Sequence, residues 1–353
     1  MKYSVKKIIC FATVVPVLFL SACSFVPQKY TSTEVGMGTI VSQTVYVKGD
    51  GKEVTRKVQD LVNRFEEEIS WRIETSDVSG INHFAGKEAG YAISKELSDD
   101  LRKVWQISAD SDGAFDVTIA PVVRLWNIDA KATGNEQSDL LPSDAEIKDK
   151  LFLTGYEDVR IEDNIVYLPA GYLIDLGAVG KGMACDRILS LLKDEMGPLS
   201  ATRPISGQVS VQGAVISLGG NILTYGEKPD GSAWKVGVVD PMNPDAYLGM
   251  LTLTGTNFVT TSGDYERYVE IDGERYHHII DPGTGYPADS GIRSVTILSD
   301  SGLVGDALST ACFVLGRDKA MELAQEYGVE ILLVTDTGEL VMSDGMQSVF
   351  VEK

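Results

Sequence analysis

The chain has 353 residues, 44% of them hydrophobic and 23% charged, which suits a large globular protein and excludes a disordered chain or a repeat array. Its formal net charge of −20 opposes binding to nucleic acid or to anionic lipid through a general surface field. An anionic small ligand is still possible, but it would need a cationic side chain or a metal ion close to it.

The N-terminus has the pattern of a bacterial targeting signal. Three lysines among the first seven residues precede an apolar stretch at 8–20, which is too short for a membrane span and suits a signal peptide. The stretch ends in Leu-Ser-Ala-Cys, which resembles a lipobox, so we expect 1–22 to be removed and Cys23 to carry lipid. Two acyl chains would hold the protein on the extracytoplasmic face of the cell membrane. An ordinary cleaved signal with an incidental cysteine is the alternative.

Alternation and helical periodicity predict the elements of the first half of the chain. In order, these are a linker at 23–34, a strand at 39–47, helices at 54–69 and 97–110, a polar surface excursion at 127–144 and a hairpin at 159–168. Either Ser94 or Ser98 would cap the second helix.

The second half is predicted to be richer in strands. In order, its elements are a helix at 178–192, strands at 209–217, 234–239, 248–253 and 258–261, a hairpin at 267–280, a strand at 294–298, a helix at 306–327 that breaks or bends near Gly316, and strands at 330–334 and 339–342. Runs of antiparallel strands with helices between them predict an α+β fold, mostly antiparallel sheets with flanking helices, rather than a doubly wound parallel sheet.

Two of the four cysteines belong to the folded part of the chain. Cys185 and Cys312 lie in apolar helical surroundings without metal-site spacing, so buried free thiols are the favoured interpretation. A disulfide between them is the alternative.

The segment Asp175–Gly182 is rich in glycine and precedes a predicted helix. Its three glycines would let a ligand approach the backbone closely, the helix N-terminus could face an anion, and Lys181 adds positive charge. It is not a Walker loop, because Gly182 follows the lysine where that loop has Ser or Thr. A structural turn before a helix is the alternative.

Asp306 and Thr310 are four residues apart in a predicted helix and therefore share one face. A carboxylate and a hydroxyl are hard oxygen ligands that suit Mg²⁺, whose other ligands are often water and substrate phosphate. The alternative is an acidic residue that complements the helix dipole and a threonine bonded back to its own helix.

His277 and His278 lie in the predicted hairpin at 267–280 and would point to opposite faces of a strand. One of them could therefore face a site as a proton acceptor near neutral pH. A histidine that only packs within the hairpin is the alternative.

Taken together, these segments resemble the FAD:protein FMN transferases of the ApbE-like type, from about Val35 to the C-terminus. The matching pieces, in order, are Met37-Gly-Thr39, Gly113-Ala-Phe-Asp-Val-Thr-Ile-Ala-Pro121 with Trp126, Asp175-Leu-Gly-Ala-Val-Gly-Lys-Gly182, Leu218-Gly-Gly-Asn221, Thr261-Ser-Gly-Asp-Tyr-Glu-Arg267, Tyr276 to Pro287, and Asp306-Ala-Leu-Ser-Thr-Ala311. Each piece alone is weak, whereas seven in this order and spacing are specific.

The resemblance implies a single ApbE-like, tunnelling-fold-like catalytic unit at 35–353. It also implies Mg²⁺-dependent transfer of FMN from FAD to a Thr or Ser hydroxyl of an extracytoplasmic redox protein or FMN-binding domain, with AMP released. The rival activities are an FAD pyrophosphatase, which would yield free FMN and AMP, and a membrane-anchored flavin-binding protein without catalysis.

The same resemblance assigns roles to individual residues. FAD would contact Met37, Ala114, Phe115, Asp116, Asp175, Lys181 and Ile280. Mg²⁺ would be held by the backbone carbonyl of Ala178, the carboxylate of Asp306 and the hydroxyl of Thr310. His278 would be the catalytic base, whereas His277 occupies a position at which the family varies.

One departure from the family pattern concerns the FAD contact near the first helix. Where the family often has Ser-Thr-Tyr, this chain has Ser70-Trp71-Arg72. Either Trp71 or Arg72 could stack on adenine, through an aromatic face or a guanidinium plane. Which of the two contacts FAD stays open at this point.

Overall fold

The structure is a computed structural model, and it describes residues 26–132, 141–194 and 209–353. The predicted signal peptide at 1–22, the predicted lipid site at Cys23 and part of the predicted excursion at 127–144 lie outside the described residues. The strands are β1 (Gln28–Gly36), β2 (Thr39–Lys48), β3 (Tyr91–Ala92), β4 (Arg160–Glu162), β5 (Ile165–Tyr167), β6 (Ser210–Leu218), β7 (Asn221–Gly226), β8 (Trp234–Asp240), β9 (Asn243–Leu253), β10 (Asn257–Gly263), β11 (Tyr268–Ile271), β12 (Glu274–His277), β13 (Ile292–Ser299), β14 (Glu330–Thr335), β15 (Leu340–Met342) and β16 (Phe350–Glu352). The helices are α1 (Gly51–Ile69), α2 (Asp77–His83), α3 (Lys95–Asp110), α4 (Ala120–Trp126), α5 (Ile128–Ala132), α6 (Asp144–Leu151), α7 (Gly180–Asp194), α8 (Gly302–Leu315), α9 (Arg317–Tyr327) and α10 (Asp344–Val349).

Eight strands form the main sheet, in the order β1-β2-β6-β7-β10-β13-β14-β15. Every neighbouring pair in this sheet is antiparallel. Three smaller sheets, β8 with β9 and β16, β3 with β4 and β5, and β11 with β12, are also antiparallel. The predicted α+β class with mostly antiparallel sheets is confirmed.

Both faces of the main sheet are buried. Along β14, Ile331 and Leu333 join the larger core with α1, α7 and α8, whereas Leu332 and Val334 join a second cluster with β8, β9 and α10. Successive strand residues point to opposite faces, so this alternation places helices on one side and the three-stranded sheet on the other. The molecule is therefore layered as helices, main sheet and small sheet.

Helix α1 illustrates how the sequence defines an element. The Asp50 side chain accepts a hydrogen bond from the backbone N–H of Lys52 at 2.9 Å and caps the first turn. The buried residues of this helix form one stripe against the sheet, and they include Val58, Val62 and Phe65. The predicted helix at 54–69 is confirmed, with a start at Gly51.

Helices α7 and α8 cross at unusually close range. A Cβ atom added to Gly182 would lie 2.1 Å from the carbonyl oxygen of Gly302 and 2.6 Å from the Cβ atom of Asp306. Glycine is therefore required at this crossing. The close approach places Asp306 of α8 directly beside the first turn of α7.

Three predicted elements differ from those observed. In the predicted polar surface excursion at 127–144, the residues Ile128–Ala132 form helix α5, and Ile128 is buried in an apolar cluster. Residues 28–34 belong to strand β1, although the sequence suggested a linker there, because most residues of this edge strand are exposed and lack an apolar alternation. The break predicted near Gly316 in the helix at 306–327 is confirmed, but the first of the two helices begins at Gly302, with Ser301 as its cap, rather than at Asp306. Asp306 is consequently not at a helix start.

The two cysteines of the folded part are free and buried. Burial raises the pKa of the Cys312 thiol to about 12, so this thiol stays protonated at neutral pH. The prediction of buried free thiols is confirmed. Among the described residues, no helix combines the length and the apolar character needed to cross a membrane.

Candidate active site

A cavity of about 270 Å³ opens between α4, α5, the turn after α1 and the loop after β12. Five residues that the sequence analysis singled out line it, namely Trp71, Arg72, Asp175, His278 and Ile280. Its remaining lining residues are Val123, Arg124, Trp126, Asn127, Ile128 and Asp129. The cavity thus combines aromatic, cationic and anionic side chains around one histidine.

His278 is held in a single orientation. It lies one residue beyond the end of β12, and its backbone N–H and its Nδ1 atom both approach the carbonyl oxygen of Arg267, at 3.1 and 3.2 Å. A carbonyl oxygen only accepts hydrogen bonds, so Nδ1 carries the proton and Nε2 keeps its lone pair. Burial, reinforced by the Arg267 charge, lowers the pKa of His278 to about 3. The imidazole is therefore neutral at pH 7 and can accept a proton at Nε2.

His277 has different surroundings. It is buried, its Nε2 atom lies 3.0 Å from the carbonyl oxygen of Ala288, and its ring meets Phe313 edge-on at 5.4 Å between centroids. Burial lowers its pKa as well. The two histidines therefore diverge: His278 lines the cavity, and His277 packs in the core. The prediction that both histidines lie in the strand is wrong for His278, because β12 ends at His277.

Trp71, Arg72 and Arg124 form a stack, which we call the Trp–Arg stack. The guanidinium carbons of Arg72 and Arg124 lie 4.4 and 4.1 Å from the centre of the Trp71 ring. Such contacts are attractive because the ring face is electron-rich. Trp71 and Arg72, the two residues that depart from the family pattern, thus belong to the same stack. A planar ligand group that binds there would contact a guanidinium and an indole together.

Asp129 ties this stack to the loop that carries His278. Its carboxylate lies 3.3 Å from the Arg72 guanidinium and 2.9 Å from that of Arg267. Arg267 in turn supplies the carbonyl that holds His278. Asp129 and Arg267 are thus positioned to orient the site, although the sequence analysis assigned a role to neither.

Asp175 closes the turn that leads into α7. Its Oδ1 atom accepts a hydrogen bond from the Gly177 N–H at 2.8 Å. Burial raises the pKa of Asp175, and the charges of Arg72 and Arg124 oppose this effect. The segment is therefore a structural turn, and Asp175 is its residue that lines the cavity.

Asp306 lies at the crossing of α7 and α8. It is 3% exposed, and its Oδ2 atom accepts a hydrogen bond from the Gly182 N–H at 2.8 Å. Burial raises its pKa, whereas the Lys181 charge, the Gly182 N–H and the nearby Asn221 lower it. Since Asp306 is in the second turn of α8, complementing the helix dipole does not explain it. It instead faces the glycine-rich segment and Lys181.

Thr310 lies one turn further along α8. Its hydroxyl is 3.4 Å from that of Ser262 on β10, which in turn is 2.7 Å from the Ser309 hydroxyl. Ser309 donates to the carbonyl oxygen of Asp306 at 2.8 Å. Hydroxyl groups thus connect both proposed metal ligands of α8 to the sheet.

Met37 and Ala178 flank the start of α7. Met37 lies at the β1–β2 turn with φ +51°, and its N–H donates to Glu66 Oε2 at 2.7 Å. Its Cε atom would be 3.4 Å from a Cβ atom on Gly180. Ala178 is exposed in the turn just before α7. Both residues therefore lie close to the first turn of α7.

Ala114, Phe115 and Asp116 are buried and are not among the residues that line the cavity. The Asp116 carboxylate accepts hydrogen bonds from the N–H groups of Thr118 and Tyr156, at 2.7 and 3.0 Å. Burial raises its pKa. The segment that carries these residues is joined to Asp175 by a backbone hydrogen bond, in which the Asp175 N–H donates to the Val117 carbonyl oxygen.

Glu266 also belongs to this region. Burial raises its pKa, the charges of Lys181 and Arg267 lower it, and Asp306 raises it further. It directly precedes Arg267, so it links the Lys181–Asp306 group to the loop that holds His278. Glu266 and Arg267 belong to the segment at 261–267 that the sequence analysis matched to the family. Arg124 and Asp129 could not be identified from the sequence, because isolated charged residues in short helices usually lie on the solvated surface.

These features define an α+β protein with an arginine-lined cavity that contains a neutral histidine, and with a buried carboxylate at the crossing of α7 and α8. Residues 37–333 match the model of the ApbE family. A FAD:protein FMN transferase of Klebsiella pneumoniae is 32% identical over 321 residues, which cover 90% of this chain and 92% of the relative. One from Treponema pallidum is 31% identical over 327 residues, covering 87% and 84%.

Solved structures agree with this assignment. The ApbE protein of Thermotoga maritima superposes with a TM-score of 0.79 at 30% identity, covering 92% of this chain and all of that one. The flavin transferase ApbE of Vibrio cholerae superposes with a TM-score of 0.77 at 25% identity, covering 92% and 99%. The chain belongs to the ApbE family and is a transferase enzyme, so the resemblance found in the sequence is confirmed.

Proposed function

We propose that this protein transfers FMN from FAD to a Thr or Ser hydroxyl of an extracytoplasmic acceptor protein and releases AMP. The names of the curated relatives support flavin transfer from FAD. The observation that carries the proposal is the orientation of His278, whose Nδ1 atom is held by Arg267 and whose Nε2 atom is free to accept a proton at the cavity.

The reaction follows from this geometry. The acceptor oxygen attacks the FMN phosphorus, its proton passes to Nε2 of His278, and the bond from phosphorus to the AMP oxygen breaks. AMP leaves with the electron pair of that bond. Catalysis of this kind consists mainly of positioning and charge neutralisation.

The chain supplies positive charge locally, although it is acidic overall. Arg72 and Arg124 line the cavity, Arg267 borders it, and Lys181 lies beside Asp306. A diphosphate would be attracted to this region in spite of the net charge of −20.

The residues at the α7–α8 crossing fit a Mg²⁺ ion. Asp306 is a buried carboxylate with a raised pKa, and a cation would favour its charged form. Thr310 and the Ala178 carbonyl would add neutral oxygens. In the ranges 26–132, 141–194 and 209–353 no group of three or more His, Cys, Asp or Glu side chains could hold a metal. A cation here would therefore take other ligands from water and the diphosphate, as Mg²⁺ prefers. When bound, it would neutralise charge on the diphosphate.

Intact mass of a candidate acceptor domain, incubated with enzyme, FAD and Mg²⁺, tests the proposal. We expect a mass increase equal to one phosphoester-linked FMN and an equivalent amount of AMP. Asp306→Ala should abolish most of this product, because it removes the charged ligand, and Thr310→Val should reduce it less. Free FMN with an unmodified acceptor would establish an FAD pyrophosphatase instead. Unchanged FAD would indicate a flavin-binding protein without catalysis.

We further propose that lipid on Cys23 anchors the protein to the cell membrane on its extracytoplasmic face. The support is the ordered signal pattern at 1–22. Cys23→Ser should move the protein from the membrane fraction to the soluble fraction, whereas Cys10→Ser should not. A membrane-bound Cys23→Ser variant together with a wild type that carries no lipid mass would contradict the anchor.

A further inference from the structure

Asn221 is a buried amide whose oxygen has no protein partner. It is the first residue of β7 and is 2% exposed, and its Oδ1 atom makes no hydrogen bond to any residue that the structure describes, whereas its amide N–H group faces the Asp306 carboxylate. A buried polar group without a partner destabilises the fold. The two glycines before it are explained by packing, because a Cβ atom on Gly219 would lie 2.8 Å from the Thr39 hydroxyl and one on Gly220 would lie 3.0 Å from the Thr261 carbonyl oxygen. Packing does not explain the choice of asparagine.

The strand register shows where this amide points. Asn221 lies directly opposite Thr260 in the antiparallel β7–β10 pair, so both side chains project from the same face of the sheet. The Thr260 hydroxyl faces α8, since a Cβ atom on Gly305 would lie 3.2 Å from it. Asn221 therefore faces α8 as well, at the level of Gly305 and its neighbour Asp306.

We propose that the amide oxygen of Asn221 is a ligand of the divalent cation bound at Asp306. An amide oxygen is a hard, neutral ligand of the kind that Mg²⁺ accepts. In this arrangement the Asn221 amide nitrogen is left to donate to the Asp306 carboxylate, so the cation and the carboxylate satisfy both buried atoms. This assignment rests on the proposed cation dependence of flavin transfer, and it adds one residue to the proposed ligands of the cation.

Mn²⁺ binding measured by electron paramagnetic resonance tests the assignment, with and without FAD. Asn221→Leu should weaken Mn²⁺ binding roughly 10- to 100-fold, in the range of residues that support a metal site. Its metal-free Tm should be equal to or above that of the wild type, because a buried amide oxygen without a partner has been removed. Asn221→Asp, which keeps the oxygen and adds charge, should bind Mn²⁺ at least as tightly as the wild type. Asn221→Ala replaces the leucine variant if that variant does not fold.

Asn257 provides a matched control in the same strand pair. Its Nδ2 atom donates to the Thr254 carbonyl oxygen at 2.8 Å and to the Thr224 hydroxyl at 3.2 Å. Asn257→Leu should therefore lower Tm and leave Mn²⁺ affinity unchanged, the reverse of the result for Asn221→Leu.

Wild-type Mn²⁺ affinity in Asn221→Leu would overturn the assignment. Unchanged Mn²⁺ affinity combined with weaker FAD binding in the absence of metal would also overturn it, because the amide would then contact the nucleotide. Loss of Mn²⁺ binding in a folded Asn221→Asp variant would contradict it too. If the wild type binds Mn²⁺ through Asn221 but transfers no FMN, the proposed function fails and this cation site stands.

Discussion

The adjacent histidines His277 and His278 have different surroundings, which fit a structural role for the first and the proposed catalytic role for the second. Nδ1 of His278 donates to Arg267 and Nε2 remains available at the cavity, whereas Nε2 of His277 is engaged by Ala288. His278→Ala should therefore slow single-turnover FMN transfer roughly 100- to 10,000-fold, the usual contribution of a positioned acid–base group. FAD affinity, measured in parallel, should largely survive, because Lys181 and the Trp–Arg stack remain.

His277→Ala is the internal comparison for this experiment. It removes a buried ring that packs against Phe313, so it should lower the free energy of unfolding by about 1–3 kcal/mol and leave transfer by the folded fraction nearly unchanged. If His277→Ala loses transfer and His278→Ala does not, the roles are reversed. If both variants transfer FMN normally, another group activates the acceptor hydroxyl.

Among the secondary-structure elements, the crossing of α7 and α8 determines the geometry of the proposed cation site. Gly182→Ala would place a methyl group 2.1 Å from the Gly302 carbonyl oxygen. This oxygen belongs to the backbone of α8, so no flexible side chain can move aside to make room. The helices would have to separate, at a cost of at least about 1–3 kcal/mol. Urea unfolding should show that loss, and FMN transfer should fall with it because Asp306 moves.

Gly338→Ala separates this steric effect from simple backbone strain. Gly338 has φ +83° and nothing lies within 4 Å of an added Cβ atom. This variant should lose only about 1–2 kcal/mol, the cost of a left-handed residue with a side chain, and should keep normal transfer. Equal activity losses in both glycine variants would show that the close helix contact has no special effect on the site.

For the molecule as a whole, buried titratable groups couple stability to pH. Burial lowers the pKa of both His277 and His278, in the latter to about 3. Below about pH 6.5 these imidazoles become protonated in the unfolded chain but stay neutral in the folded protein. The free energy of unfolding therefore falls as the pH drops from 6.5 towards 3. Burial raises the pKa of Asp186, so this residue has the opposite effect on the pH dependence. Its contribution to stability is present below about pH 4 and is lost as the pH rises through its pKa in the folded protein.

A variant without the His278 imidazole measures how much this residue contributes to the pH dependence of stability. Relative to the wild type, His278→Gln should gain about 1–2 kcal/mol of unfolding free energy between pH 7.5 and pH 5, measured by urea titration at each pH. In NMR spectra of the wild type, the ring signals of His277 and His278 should not titrate over this interval. A midpoint near pH 6.5 for the His278 ring would contradict the lowered pKa of this imidazole.

The sequence by itself determined the fold class, most of the elements and the family. Helix α1 and the hairpin at β11–β12 were predictable because their caps, apolar stripe and turn residues act locally, over a few positions of the chain. Strand β1 was not, because its exposed edge position is stabilised by pairing with β2 rather than by its own pattern. In the same way, the sequence supplied His278, Asp306 and Lys181 as candidates, but it assigned no role to Arg267, Asp129 or Asn221. Their roles depend on contacts between residues far apart in the chain, such as the Arg267–Asp129 pair and the approach of β7 to α8. Only the tertiary structure decides such contacts, because burial and distance are properties of the packed molecule and not of any local segment.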